Sequence, residues 1–180
     1  MRVFGIDPGS GRTGYGCIES SGGRHRLVIC GSLAAPSSAT FPQQLEAIHE
    51  GLASLLARVR PDCVAVENIF HAKSARSALK LGHARGVALL AASEARLAVI
   101  EYAPAEIKRA VVGYGRAEKP QVQQMIKLLL GLDAPPSPHD VADALAVAIC
   151  HVHSSTGAVA ERIRSEKPAS KLRSWRAYRP

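Results

Sequence analysis

Four acidic residues stand where their carboxylates could share a metal ion. Asp7 and Glu67 each end a short apolar stretch of β-forming residues, whereas Asp140 and Asp143 are three residues apart at the start of a helical stretch. Residues with this spacing lie on one side of a helix. If the two strands are neighbours in a sheet, all four carboxylates can meet at one end of it.

Carboxylates grouped in this way repel one another, and a bound cation would explain the grouping. Hard divalent cations such as Mg²⁺ prefer oxygen ligands in octahedral geometry. Two such ions about 3.5–4 Å apart can activate a water molecule and stabilise the departing oxygen of a phosphodiester. The four acids therefore predict a metal-dependent phosphodiester-cleaving site.

Each carboxylate also has a purely structural interpretation. Asp7 precedes Pro8-Gly9 and could be a turn residue, and Asp140 could be favoured only by the helix dipole. Asp143 interrupts an apolar run, and Glu67 ends a buried strand, where an acid costs free energy unless it is paired or binds a metal. The set of four is therefore a stronger indication of a site than any one member.

The elements that must position these acids follow from the periodicity of the chain. Strands are predicted over residues 3–7, 13–19, 25–33, 62–67 and 97–101. Helices are predicted over about 45–59, 75–95, 105–112, 121–130 and 139–152. An antiparallel start followed by βαβ crossovers predicts an α/β fold with a mixed five-stranded sheet flanked by helices.

The composition favours a polyanionic partner. The chain has 23 basic and 15 acidic residues and a net charge of +8, which points to nucleic acid or an acidic membrane surface.

No apolar stretch is long enough to cross a bilayer. The four cysteines are scattered without metal-binding or disulfide spacing, which favours reduced thiols. We expect a cytoplasmic protein.

The basic residues are concentrated at the end of the chain. Residues 156–180 hold seven basic and two acidic residues. We therefore predict one nuclease domain over residues 1–154 and a basic tail over 155–180. Trp175 and Tyr178 among the arginines resemble a nucleic-acid-binding arm, but a mobile, solubilising extension is the default interpretation.

Four segments together resemble the RuvC family of bacterial Holliday junction resolvases. They are residues 4–15 (FGIDPGSGRTGY), 66–86 (VENIFHAKSARSALKLGHARG), 110–119 (AVVGYGRAEK) and 139–146 (HDVADALA), and the resemblance runs through about residues 2–152. It implies a ribonuclease-H-like fold and a homodimer that makes two symmetric nicks in strands of like polarity at four-way junction DNA. It also implies Mg²⁺ or Mn²⁺, two ions per site, and the partners RuvA and RuvB.

The resemblance also suggests roles for individual residues. The family's four acids match Asp7, Glu67, Asp140 and Asp143. Its two basic residues needed for activity correspond to Lys108 and Lys119, and its aromatic residue near the cleaved strands corresponds to Phe70. Some relatives carry histidine where others carry the third acid. Here His139 precedes Asp140, and we expect Asp140 to be the ligand and His139 to support the site or transfer a proton.

Basic residues flank the predicted acidic site on both sides. Lys73 and Arg76 follow Glu67, and Lys108 and Lys119 lie in the second basic cluster. Charge runs are usually solvated, but their placement beside the acids favours phosphate contacts. Phe70 could be a core residue or could stack on a splayed base. Gly82 and Gly86 could serve close packing or could let their helix meet a symmetry mate.

Two other functions compete with a junction nuclease. Asp7-Pro8-Gly9 followed by Thr13-Gly14 resembles the phosphate-binding hairpin of actin-like phosphotransferases, but 180 residues leave no room for their second lobe. A non-catalytic junction-binding module would need the basic loops without Glu67 and Asp143. Cleavage of a junction with Mg²⁺ alone, without ATP, separates the three.

Deletion of residues 156–180 should preserve folding and metal-dependent cleavage, because the segment holds none of the predicted site residues. It should weaken binding to linear duplex DNA, because up to seven cations are lost. The slope of log K against log salt should then become shallower by up to roughly six. Filter binding at several salt concentrations measures the slope. A truncated chain that folds but does not cleave would make the tail part of the enzyme.

Overall fold

Five strands form one mixed sheet in the order β3-β2-β1-β4-β5. The structure is a computed structural model and describes residues 1–9, 11–68 and 74–156. The strands are β1 (Arg2–Asp7), β2 (Thr13–Ser21), β3 (Arg24–Leu33), β4 (Cys63–Glu67) and β5 (Ala98–Tyr102). The first three are antiparallel, whereas β4 and β5 run parallel to β1. The predicted mixed five-stranded sheet is confirmed, and the first and fourth strands are adjacent in it.

Five helices flank the sheet. They are α1 (Phe41–Val59), α2 (Ala75–Glu94), α3 (Pro104–Val112), α4 (Lys119–Leu130) and α5 (His139–Thr156). The first begins four residues before its predicted start, because its N-terminus is set by capping and not by apolar spacing: the Thr40 amide donates to the Gln43 side chain at 2.8 Å. In the part of the chain that is described, none of these helices has the length and apolar character to span a membrane.

The two faces of the sheet carry separate hydrophobic cores. On one face Phe4 and Ile6 of β1 pack with α1 and α2, and on the other Val3 packs with α3, α4 and α5. Side chains alternate along a strand, so Asp7 shares the face of Val3, and Glu67 shares the face of Cys63 and Ala65. Both strand-end carboxylates therefore belong to the face that α5 covers.

Glycines in β1 and β2 allow α5 to lie directly on the sheet. A Cβ added at Gly5 would overlap the carbonyl oxygen of Ala144, and one added at Gly14 would overlap that of Asp140. A Cβ added at Gly16 would overlap the Leu145 side chain, because it would lie only 2.5 Å from Cδ2 of Leu145. Gly14 is also the residue paired with Asp7 across β1 and β2. This contact sets how closely the start of α5 approaches the end of β1.

Replacing Gly14 by alanine should destabilise the protein by at least about 1–3 kcal/mol, because the new methyl group must push the backbone of α5 away from the sheet. Gly11→Ala is the control, since Gly11 is exposed and a Cβ there would meet no described atom within 4 Å. The control should be neutral or stabilising by up to about 1 kcal/mol. Urea unfolding measures both, and a Gly14→Ala protein as stable as the unmodified chain would contradict the packing role.

Candidate active site

The carboxyl ends of β1 and β4 place two acids side by side. The strands are parallel neighbours, and Ile6 is paired with Val66. Asp7 and Glu67 each follow by one residue, at the same edge of the sheet and on the same face. The condition stated for their convergence, that the two strands are neighbours, therefore holds.

The first turn of α5 brings the other two acids to this edge. Asp140 lies over Gly14, and Asp143 follows one helical turn later on the same side. The charges of Glu67, Asp143 and Asp140 all raise the pKa of Asp7. The structure therefore brings the other three predicted acids within electrostatic range of Asp7.

Burial and mutual repulsion disfavour full ionisation of this cluster. The pKa of Asp7 is raised to about 8, first by burial and then by the charges of Glu67, Asp143 and Asp140. The pKa of Glu67 is also raised, first by burial and then by Asp143. A carboxylate removed from water needs a positive partner to remain charged. The site is therefore one that a cation would stabilise.

Lys119 supplies part of that positive charge. Its Nζ donates a hydrogen bond of 2.7 Å to Oδ2 of Asp143. This bond is the main reason that the pKa of Lys119 is raised. Lys119 is the first residue of α4, so the helix start fixes a cation beside the acids.

A small cavity lies next to this ion pair. It has a volume of about 250 Å³, and its polar lining consists of Glu67, Lys108, Lys119 and Asp143. Both lysines also oppose the rise in the pKa of Glu67. The two lysines to which the family resemblance gave a role thus line this cavity together with Glu67 and Asp143.

The four acidic side chains are not close enough together, as arranged here, to surround a metal ion. Within residues 1–9, 11–68 and 74–156, no three histidine, cysteine or acidic side chains are close enough together to hold one. Lys119 already occupies an oxygen of Asp143. Carboxylate oxygens are nevertheless the donors that Mg²⁺ and Mn²⁺ prefer. The donor set fits these ions in type, and the Asp143 carboxylate would have to turn from Lys119 to join it.

The remaining predicted residues are placed as follows. His139 is exposed at the first residue of α5, whereas Asp140 is half-buried. Arg76 is exposed in the first turn of α2, which begins directly after the segment that contains Lys73. Phe70 and Lys73 lie outside the described residues, so their assignment stays a prediction.

The part that glycine plays in building the site was not predicted from the sequence. Gly14 and Gly16 are two apart in β2 and therefore point to the same face, toward α5. Glycine inside a strand often marks a close approach of another backbone. The alternating glycines were the signal that could have identified where the helix with Asp140 and Asp143 packs.

Three comparisons identify similar proteins. Residues 3–151 match a family model described as crossover junction endodeoxyribonuclease RuvC. Curated relatives of that name from Desulforamulus reducens and Citrifermentans bemidjiense are 48% and 54% identical, over 87% and 86% of this chain and 96% and 94% of theirs. Among solved structures, T. thermophilus RuvC in complex with a Holliday junction substrate matches with a TM-score of 0.82 and 35% identity, over 86% of this chain and 94% of that one.

The raised pKa of Asp7 predicts how the stability of the metal-free protein depends on pH. Folded Asp7 keeps its proton up to about pH 8, whereas the unfolded carboxyl loses it near 3.8. The protein should therefore lose stability relative to Asp7→Asn as the pH rises from about 4 to 8, by at most about 1.4 kcal/mol per pH unit. Urea unfolding across this range measures the difference.

The control for simple loss of a carboxylate is Asp133→Asn, in an exposed turn. At pH 8, Mg²⁺ should reduce the difference in the free energy of unfolding between the unmodified chain and Asp7→Asn. An ion that binds only the folded state stabilises that state. A gap that stays constant from pH 4 to 8 would show that Asp7 is not held in a repulsive, buried environment.

The placement of His139 and Asp140 predicts unequal effects of their substitution. Asp140 is half-buried and its charge acts on Asp7, whereas His139 is exposed. In Mg²⁺, Asp140→Asn should lower the rate of junction cleavage by at least about 100-fold, and His139→Ala by less than about 10-fold. Single-turnover rates of both variants decide this, and the opposite order would make the histidine the fourth residue of the site.

Proposed function

The chain belongs to the RuvC family of crossover junction endodeoxyribonucleases, and we propose that it resolves Holliday junctions with the site formed by Asp7, Glu67, Asp140 and Asp143. Its relatives carry that name over nearly their whole length, and a 35% identical structure is described with a Holliday junction substrate. The observation that carries the site assignment is the electrostatic coupling of Asp7 to the other three acids. Cleavage during recombination and DNA repair is the corresponding cellular role.

Nucleases of this family depend on a divalent metal ion, and we propose Mg²⁺ for this chain, with Mn²⁺ as a substitute and two ions per site. The four carboxylates would hold them, and the donor type and the unfavourable ionisation of Asp7 and Glu67 support this choice. When bound, such ions activate water and stabilise the leaving oxygen of a phosphodiester.

The lysines balance the charge of the site in this proposal. Lys119 holds Asp143 through a hydrogen bond of 2.7 Å, and its side chain is 60% exposed, so it can move toward an incoming phosphate. Lys108 lies in the same cavity. We infer that both lysines contact the scissile strand, because each phosphate brings a negative charge to a site that is already acidic.

Arg76, Lys73 and Phe70 extend the proposed DNA-binding surface beyond the acids. Arg76 is exposed at the start of α2, where a guanidinium is free to contact phosphate. The resemblance assigns Phe70 to stacking near the cleaved strands. Phe70 and Lys73 are proposed from the sequence pattern only, and both precede Arg76 along the chain.

We also propose a homodimer formed through α2. This helix exposes Leu79 and Leu90, whose side chains are 66% and 51% accessible. Between them Gly82 and Gly86 leave room for a close approach, and the same strip lines an apolar surface depression. Two symmetric nicks require two sites related by a two-fold axis, and a self-complementary helix face provides one.

The family resemblance supports two further assignments. We propose that the protein acts with the junction-migration proteins RuvA and RuvB, and that it does so in the cytoplasm. Retention of the chain on junction DNA carrying both partners, compared with junction DNA alone, tests the first. A chain that RuvA displaces completely would contradict it.

Cleavage of a synthetic four-way junction in Mg²⁺ tests the function. Asp7→Asn and Glu67→Gln should each lower the rate by at least about 100-fold. Junction affinity should change only a few-fold, because lysine and arginine contacts with phosphates dominate it. The control Asp133→Asn removes an exposed carboxylate and should leave both quantities unchanged.

The same assay examines substrate choice and symmetry. Each strand of the junction is labelled in turn, and a linear duplex of the same sequence is the competitor. We expect paired cuts at symmetric positions and little cutting of the duplex. Equal cutting of both substrates would rule out junction selectivity, and single nicks without a partner cut would contradict the dimer.

A further inference from the structure

Two histidines meet at the end of the sheet opposite to the acidic site. His25 is the second residue of β3, and His153 lies in the last turn of α5. Their Nε2 atoms are 3.2 Å apart, although the residues are 128 positions apart in the sequence. Ser20, which pairs with His25 across β2 and β3, accepts a hydrogen bond from the Met1 amine at the start of β1. Asp7 lies at the other end of β1.

The second nitrogen of each ring is held by an oxygen. His153 Nδ1 is 2.8 Å from the carbonyl oxygen of Ala110, which can only accept, so this nitrogen carries the proton. The Nε2 of His153, the atom that faces His25, is then the nitrogen of this ring that can offer a lone pair to a metal ion. His25 Nδ1 is 3.1 Å from the Ser20 hydroxyl, which can accept a hydrogen bond from the protonated Nδ1. Histidines that bind metals usually have their other nitrogen fixed by such an oxygen.

The separation of the two Nε2 atoms suits a shared metal ion. In tetrahedral zinc sites the nitrogen ligands lie about 2.0–2.1 Å from the ion, which puts two of them roughly 3.3 Å apart. The observed separation is 3.2 Å, and the rings are tilted by 51° to each other. Two imidazoles can therefore occupy two corners of one coordination sphere with little movement.

The surroundings keep the histidines available as ligands. Burial, and then the charge of His153, lowers the pKa of His25, so its imidazole is neutral near pH 7. Both side chains are half-buried, which leaves access for an ion and for water. Among the described residues no third histidine, cysteine or acidic side chain joins the pair, so water would complete the sphere.

We propose that His25 and His153 form a two-histidine site for Zn²⁺ that ties the β2–β3 hairpin to the end of α5. Imidazole nitrogen is a preferred ligand of zinc, whereas Mg²⁺ and Mn²⁺ prefer the oxygens of the acidic site. The role of the ion is structural, because it joins two elements that are distant in sequence. This site is independent of the acidic site at the opposite end of the sheet.

Zinc titration of the full-length protein in saturating Mg²⁺, which prefers the carboxylate oxygens of the acidic site, tests the proposal. At about a hundredfold excess over Kd, Zn²⁺ should raise the Tm by about 5–10 °C. Calorimetry should give one ion per chain. His25→Gln and His153→Gln should each abolish the shift, because either change removes one of two ligands.

Two variants make the comparison specific. His151→Gln removes a histidine of the same helix whose Nδ1 contacts the Tyr102 hydroxyl at 2.8 Å, and it should keep the zinc shift. Asp143→Asn alters the acidic site and should keep it as well. A zinc shift that survives His25→Gln, or that is lost in Asp143→Asn, would overturn the proposal by placing the ion elsewhere.

A spectroscopic measurement covers the case in which His153→Gln does not fold. X-ray absorption at the zinc edge of the unmodified protein should show two imidazole ligands with oxygen completing the sphere, and His25→Gln should leave fewer than two. The absence of any zinc shift, or a zinc environment without two imidazoles, would show that the two rings share only a hydrogen bond.

Discussion

The close contact between α5 and the glycines of β1 and β2 is the constraint on which the site depends. A helix that packs on ordinary strand side chains is held away from the sheet by the volume of those side chains. Here the carbonyls of Asp140 and Ala144 lie where a Cβ of Gly14 or Gly5 would be. This removal of side chains between the layers brings acids from a helix within range of an acid at a strand end.

The closeness of the acids makes their ionisation unfavourable, and Lys119 and the two hydrophobic cores offset this repulsion. Burial and repulsion raise the pKa of Asp7 to about 8, so the isolated site opposes its own ionisation. Lys119 offsets part of this cost through its bond to Asp143. The hydrophobic cores on the two faces of the sheet hold the strands in place while the acids remain close. A site of this kind gains most from a cation, which is the physical link between its geometry and metal-dependent chemistry.

Much of this arrangement could be predicted from the sequence because it depends on local rules. Runs of apolar, β-forming residues predicted that Asp7 and Glu67 end strands, and the order of the elements predicted a mixed sheet. That β1 and β4 are neighbours was only assumed from the sequence, and the observed register shows it. The predicted start of α1 was four residues too late. The helix begins where a hydrogen bond from Thr40 caps it, and not at the first of the regularly spaced apolar residues. The bond of Lys119 to Asp143 and the meeting of His25 with His153 join residues 24 and 128 positions apart. No local pattern specifies such pairs; they arise only when whole elements pack together.

The same packing makes α5 act as one body. From Ala144 to Cys150 every residue is at most 1% exposed, and a close-packed interior has no space into which one part of a helix can shift alone. Asp143 near one end and His153 near the other are separated by ten residues, or roughly 15 Å of helix. A change in how the last turn is held would therefore have to move the buried middle before it could reach the acids. The position of the carboxylates is thus set by the whole length of the helix, and the histidine pair can stabilise α5 without taking any part in the chemistry at its first turn.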